Sequence, residues 1–175
     1  LSNIQNEDIS EDAYYEIIKG KTAALFEACA AIGAESVGAS PEDVLAAKKF
    51  GQNIGIIFQI RDDIFDYYNS DEIGKPTGND MIDGKLTLPA IYALNSTNNE
   101  EMRAIARKIK AHEISSDEIA KLVEFTKQNG GIDYAEKRMW DFHSECMNFL
   151  ESKVANAEIR KSLTAYIDYV IKRKL

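Results

Sequence analysis

The sequence predicts an all-α protein. Three observations lead to this prediction: apolar residues recur at helical spacing, helix start signals precede several of these stretches, and no run has the two-residue alternation of a strand. The chain has 175 residues, 45% of them hydrophobic, which suits one globular unit with a real core. We expect about seven helices.

The first predicted helix runs from Ala13 to about Ala34. Ser10 has the side chain of an N-cap, and acidic residues follow it in the first turn. The pair Lys21-Thr22 lies near the middle of this helix. The residues expected to face the core are Tyr14, Ile17, Ile18, Ala24, Leu25 and Ala28.

The second predicted helix runs from Pro41 to about Tyr68. Ser40 is the N-cap candidate, and proline at the first helical position followed by two acids is a strong start signal. Gly51 and Gly55 lie one turn apart, which lets a neighbouring helix approach closely. The apolar residues around the end of this helix predict that most of it is buried.

A loop is predicted from Asn69 to Gly84, because glycine, proline and asparagine crowd it. Its many polar groups are typical of a functional loop. A helix from about Lys85 to Leu94 follows, in which Pro89 either produces a kink or marks a later start. Further helices are predicted near Glu100–Ala111, Ser116–Asn129, Gly131–Ser152 and Ala157–Lys174.

Composition excludes several classes of function. A net charge of -8 and a pI near 4.9 argue against a general nucleic-acid binder, which needs clustered Lys and Arg. The longest apolar run, Ile54–Ile60, is far shorter than the roughly 20 residues that cross a bilayer, so no transmembrane segment is predicted. Cys29 and Cys146 match no metal or redox spacing, which indicates free thiols in a reducing compartment and a cytoplasmic location.

A cluster of carboxylates interrupts the apolar second helix. Asp62 and Asp66 are four residues apart on one helix face, with Asp63 beside them, so their charges repel. Three aspartates on a helix usually form a solvated face, but buried carboxylates pair or bind metal. Mg²⁺ is typically held by one or two carboxylates together with substrate phosphates, which Lys75 and Lys85 in the following loop are placed to bind.

Two other motifs in the loop are excluded. A P-loop needs four residues between its glycines and Ser or Thr after the lysine, whereas five residues separate Gly78 from Gly84 and leucine follows Lys85. A calcium-binding EF-hand starting at Asn69 has Ile73 at a ligand position.

Several short motifs together resemble the second half of a trans-type polyprenyl diphosphate synthase. Their order and spacing match as a set, most strongly between Lys21 and Leu94. The motifs are Lys21-Thr22, Gly51–Gly55, Phe58–Asp66, Gly74–Pro76, Gly78–Asp80 and Gly84–Pro89.

The resemblance implies the C-terminal part of the isoprenoid synthase helical fold, with mainly antiparallel helices around a deep cavity and usually a homodimer. It also implies a Mg²⁺-dependent prenyltransferase that condenses isopentenyl diphosphate with an allylic diphosphate. The allylic carbon–oxygen bond ionises, the homoallylic double bond attacks the carbocation, and a proton leaves.

The resemblance also assigns roles to individual residues. Asp62, Asp63 and Asp66 correspond to the second aspartate-rich motif, with Asp62 as the direct Mg²⁺ ligand and the others direct or water-mediated. Thr22 and Gln59 match positions near the reacting carbon, where oxygen dipoles stabilise a carbocation. The diphosphate-binding residues are Lys21, Lys75 and Lys85, of which Lys21 also counts as catalytic.

The family's first aspartate-rich motif has no counterpart upstream of Lys21. We therefore expect residues 1–175 to be the C-terminal half of a synthase domain whose N-terminal half is absent, and to be inactive alone. Opening at Leu1 without methionine fits this expectation. The alternative is a non-catalytic helical subunit or interaction module that supplies half a site to a partner. A terpene cyclase is disfavoured by the combination of Lys75 and Lys85.

Overall fold

The structure is a computed structural model that describes residues 10–68 and 77–173. A π-helical segment, Lys19–Ala23, separates the first two α-helices. Neither described range contains a strand, so the predicted all-α class is confirmed. The α-helices are α1 (Glu11–Ile18), α2 (Ala24–Ser36), α3 (Pro41–Phe65), α4 (Asn79–Ile82), α5 (Leu88–Ser96), α6 (Glu100–Lys110), α7 (Ser116–Gln128), α8 (Gly131–Lys153) and α9 (Ala157–Lys172).

Helix starts follow the predicted caps, with two differences. Ser40 Oγ accepts the backbone N–H of Asp43 at 3.2 Å, which satisfies a donor in the first turn of α3. Helix α5 begins at Leu88 rather than Lys85, with Pro89 in its first turn, where the missing N–H costs nothing. The short helix α4 lies inside the stretch predicted to be loop.

The chain divides into two compact units. The first comprises Leu1–Tyr14, Asp62–Glu136 and Leu175, and the second comprises Tyr15–Arg61 and Lys137–Lys174. In the described part of the first unit, the fully buried side chains include Tyr67, Leu88, Leu94, Ile109 and Leu122. In the described part of the second unit, they include Ile56, Ile57, Ile60, Met139, Leu150 and Ile167.

The π-helical segment changes which residues of the first predicted helix are buried. Ile18 is buried, and the next buried residue is Ala23, a step of five residues instead of the three or four of an α-helix. The inserted residue rotates α2 relative to α1. The predicted burial is therefore right for Tyr14 and Ile18 and wrong for Ile17, Ala24, Leu25 and Ala28, which are exposed.

Two glycines allow α2 and α3 to pack with their backbones in contact. A Cβ atom on Gly51 would lie 2.4 Å from the carbonyl oxygen of Phe26. A Cβ atom on Gly55 would lie 2.5 Å from the Cα of Ala23, the last residue of the π segment. These distances confirm the predicted close approach of a neighbouring helix.

Helix α7 begins with a capping box that makes its stability depend on pH. Ser115 Oγ accepts the Glu118 N–H, and the Glu118 carboxylate accepts the Ser115 N–H. The hydrogen bond from Lys108, followed by that from the Ser115 N–H, lowers the Glu118 pKa from 4.5 to about 2. Because the folded pKa is depressed, the stabilisation is complete above about pH 4.5 and disappears as the pH falls to about 2.

We therefore expect Glu118→Gln to unfold at lower urea concentration than the wild type at pH 6. The difference between the two proteins should shrink as the pH is lowered towards 2, since the wild-type carboxylate then becomes protonated. Urea titrations at several pH values measure this. A difference that stays constant over the whole range would contradict the role of the Glu118 charge.

Among the helices of residues 10–68 and 77–173, none combines the length and apolar character needed to cross a membrane.

Candidate active site

The π-helical segment carries two predicted site residues, Lys21 and Thr22. Lys21 is exposed, and Thr22 is half-buried. The Thr22 hydroxyl donates a hydrogen bond of 2.7 Å to Oε1 of Gln59 on α3. The structure thus brings together Thr22 and Gln59, which are 37 residues apart in sequence. Short π-helical insertions within helices are frequent at functional sites, because they redirect one or two side chains.

Asp63 points into the core of the first unit. Its side chain is 3% exposed, and Oδ2 accepts a hydrogen bond of 2.6 Å from the hydroxyl of Tyr14. A buried carboxylate without donors is costly, so Tyr14 stabilises Asp63 in this position. Asp63 is consequently the predicted metal ligand that is least open to a cation from solvent.

Tyr14→Phe is expected to lower the free energy of unfolding by about 1–3 kcal/mol, because a buried carboxylate loses a donor. The matched control is Tyr134→Phe. Tyr134 also donates to a carboxylate, that of Glu11, but Glu11 is only half-buried and keeps access to water. Urea denaturation of both variants checks the prediction, and an equal loss in the two would contradict it.

Asp66 comes directly after α3, which ends at Phe65 rather than at the predicted Tyr68, and binds the backbone of residues 78–80 in the stretch predicted to be a loop. Oδ1 accepts the Asn79 N–H at 2.9 Å, and Oδ2 accepts the Asp80 N–H at 3.0 Å. The Asp66 carbonyl also accepts the Gly78 N–H, at 2.9 Å. Burial raises the pKa of the Asp66 carboxyl, and the hydrogen bonds from Asp80 and Asn79 oppose that shift.

Asp62 best fits the requirements of a Mg²⁺ ligand. It is half-buried on α3, which ends at Phe65, one residue before Asp66, and its carboxylate offers the hard oxygens that Mg²⁺ prefers. Within the described ranges, no group of three or more His, Cys, Asp or Glu side chains is placed to hold a metal ion.

Lys85 carries its ammonium group at the end of the same segment. Its Nζ lies 3.0 Å from Oδ2 of Asp83 and 3.4 Å from Oδ1 of Asp80. The hydrogen bond with Asp83 is the main cause that raises the Lys85 pKa, so the group stays protonated. Lys75, the other lysine predicted in this loop, lies outside the described residues.

Sequence reasoning missed a contact between α3 and the end of the chain. The guanidinium of Arg61 donates two hydrogen bonds to the carbonyl oxygen of Arg173, of 3.2 Å from Nε and 2.6 Å from Nη2. The Arg173 guanidinium in turn lies over the ring of Phe58, 4.4 Å from its centroid. The sequence signal for this contact is Arg61 within the apolar run of α3, since a half-buried guanidinium needs hydrogen-bond acceptors.

The chain is similar to known proteins over most of its length. A family model described as polyprenyl synthetase matches residues 1–126. The short chain isoprenyl diphosphate synthase of Methanothermobacter thermautotrophicus is 32% identical over 170 residues, which cover 95% of this chain and 51% of that protein. The geranylfarnesyl diphosphate synthase of Aeropyrum pernix is 34% identical over 169 residues, covering 95% and 52%.

Solved structures are similar over nearly the whole chain. The geranylgeranyl pyrophosphate synthase of Bacteroides thetaiotaomicron superposes with a TM-score of 0.91 at 48% identity, covering 98% of this chain and 57% of that one. The polyprenyl synthase of Caulobacter crescentus CB15, complexed with calcium and isoprenyl diphosphate, gives 0.82 at 30% identity, covering 98% and 53%.

The fold is therefore that of the isoprenoid synthases, and residues 10–68 and 77–173 form helices but no strand. The chain belongs to the polyprenyl synthetase family. It spans about half the length of the curated relatives that it matches.

Proposed function

We propose that this chain supplies the wall of a prenyltransferase site that binds Mg²⁺ and diphosphate. The enzyme containing it would condense isopentenyl diphosphate with an allylic diphosphate. The observation that carries the proposal is the hydrogen bond between Thr22 and Gln59. Gln59 lies on α3, and the same helix bears Asp62 about one turn later. Relatives that make isoprenyl diphosphates support the same reaction class.

Asp62 is the proposed direct ligand of Mg²⁺, and for Asp63 ligation that is direct or mediated by water remains a prediction. When bound, Mg²⁺ would offset the negative charge of the diphosphate oxygens. Binding of diphosphate by Lys21 and by Lys85 remains a prediction for each lysine. Lys85 on the segment after α4 and Lys21 in the π segment each offer an ammonium group, which stabilises a diphosphate as it departs.

Thr22 and Gln59 are suited to the positive charge left on the allylic carbon. The hydrogen bond from the Thr22 hydroxyl to Oε1 of Gln59 fixes the two oxygens relative to each other. Oxygen dipoles that are fixed before the reaction stabilise a developing cation without reorganising. The hydrogen bond therefore makes the pair a fixed set of acceptors.

An elongation assay tests this function. The full open reading frame that contains these 175 residues is incubated with Mg²⁺, farnesyl diphosphate or geranyl diphosphate, and labelled isopentenyl diphosphate. We expect labelled polyprenyl diphosphate from the full reading frame and none from the 175-residue chain alone. No product from the full reading frame with either primer would overturn the proposed activity. Robust product from the chain alone would overturn the proposal that it carries half of the site.

We also propose that the protein is a homo-oligomer in the cytoplasm. Support for self-association comes from large apolar side chains at the surface of the second unit, among them Leu25, Ile32 and Val37, which are 69%, 65% and 81% exposed. Light scattering of the 175-residue chain should give a mass above that of one chain. A monomer at micromolar concentration would contradict the prediction.

A further inference from the structure

We propose that Asp66 is a positioning residue rather than a direct metal ligand: it holds the Gly78–Lys85 segment, and through that segment the Lys85 ammonium. The inference rests on the proposed function, in which Lys85 binds diphosphate. It assigns the third aspartate of the cluster a task different from that of Asp62.

The first step is the attachment of the segment to Asp66. The N–H groups of three successive residues, 78 to 80, all donate to Asp66, one to its carbonyl and one to each carboxylate oxygen. A carboxylate that accepts two backbone N–H groups acts as a helix cap, here provided by a residue of a different part of the chain. Both oxygens of Asp66 are thus already bonded within the protein.

Asp80 connects this attachment to Lys85. Asp80, whose N–H is bonded to Asp66, accepts the Lys85 N–H with its own carbonyl oxygen at 2.8 Å. Its carboxylate lies 3.4 Å from Lys85 Nζ. One residue therefore links Asp66 to both the backbone and the ammonium of Lys85.

Two glycines near the ends of the segment are closely packed against neighbouring side chains. Gly78 and Gly84 have φ angles of 80° and 81°, which residues with a Cβ rarely adopt. A Cβ on Gly78 would lie 2.4 Å from Ile119, and one on Gly84 would lie 2.7 Å from His112. With both ends packed in this way, the hydrogen bonds to Asp66 fix the position of the first residues of the segment.

Hydrogen exchange tests the attachment without any substrate. In the 175-residue chain, Asp66→Ala should speed exchange of the amides of Asn79 and Asp80 by about tenfold or more, since each loses a carboxylate acceptor, whereas the Gly78 amide keeps its acceptor because alanine retains the backbone carbonyl. Asp62→Ala is the matched control and should leave these amides within about twofold of the wild type. Unchanged protection in Asp66→Ala would overturn the proposal.

Binding of inorganic pyrophosphate in EDTA tests the link to Lys85 without metal. We expect Asp66→Ala and Lys85→Ala each to weaken binding by about tenfold, and the double variant to bind no more weakly than Lys85→Ala. Independent, additive losses would overturn the proposal. A loss in Asp66→Ala that occurs only with Mg²⁺ present would identify a metal ligand and also overturn it.

The two experiments separate this inference from the proposed function. If the wild type binds no pyrophosphate through Lys85, the proposed diphosphate site fails, and the positioning role for Lys85 fails with it. If Lys85→Ala weakens binding but Asp66→Ala does not, the proposed function stands and only the role of Asp66 is overturned.

Discussion

Asp62→Ala in the full reading frame is expected to lower the rate of prenyl transfer by roughly 10²–10³-fold, the usual effect of removing one electrostatic contact to the transition state. The fold should survive the change. Asp62 is half-buried rather than fully buried, so the substitution should change the free energy of unfolding by about 1 kcal/mol at most. A large loss of activity with only a small change in stability is the signature of a functional residue.

Asp133→Ala provides the control for this prediction, because Asp133 is an exposed aspartate in the first turn of α8. Steady-state rates and urea titrations are measured for both variants. An Asp62→Ala enzyme with wild-type turnover, or a loss that also occurs in Asp133→Ala, would contradict the role of Asp62.

Gly55→Ala is expected to destabilise the protein by about 1–3 kcal/mol, the cost of overpacking a tight contact. The added methyl group would lie 2.5 Å from the Cα of Ala23, and backbone is unable to move aside as a flexible side chain would. Ala23 follows Thr22 directly, so the displacement should also disturb the hydrogen bond to Gln59.

The control for Gly55→Ala is Gly33→Ala on the neighbouring helix α2. No atom lies within 4 Å of a Cβ placed on Gly33, so only the helix propensity changes. Alanine should then leave stability unchanged or raise it by roughly 0.5–1 kcal/mol. Chemical denaturation gives both values. Equal effects of the two substitutions would show that close packing against Ala23 is not what Gly55 provides.

The properties of α3 were predictable from the sequence because they depend on local patterns. Ser40 and Pro41 mark its start, and the apolar spacing places Ile56, Ile57 and Ile60 in the core, where each is fully buried. The close approach at Gly55 was also predictable, since a glycine inside a helix pattern has few other uses.

The π-helical segment was not predictable in the same way. Periodicity analysis assumes a constant angle of rotation per residue. One inserted residue therefore changes which helix face every later residue lies on. Leu25, which is predicted to face the core, is exposed for this reason. Nothing in the letters of Lys19–Ala23 signals the insertion. The packing of Ala23 against Gly55 is a tertiary contact, which a single sequence does not reveal.

The individual tasks of the three aspartates were also beyond the sequence. Spacing places them together near the end of the predicted second helix, but it does not specify that Asp63 bonds to Tyr14, 49 residues earlier. It likewise gives no sign that Asp66 accepts the N–H groups of Asn79 and Asp80, further along the chain. Partners that are distant in the chain decide which carboxylate faces the core and which remains accessible.

Calorimetric titration of an unreactive allylic diphosphate analogue, farnesyl thiolodiphosphate, tests the central claim most directly. The 175-residue chain should bind this analogue more tightly with Mg²⁺ than in EDTA, and Asp62→Ala should remove that Mg²⁺-dependent gain while keeping the weaker metal-free binding. The same affinity with and without Mg²⁺, or a gain that Asp62→Ala retains in full, would contradict the claim that this chain carries a metal and diphosphate site.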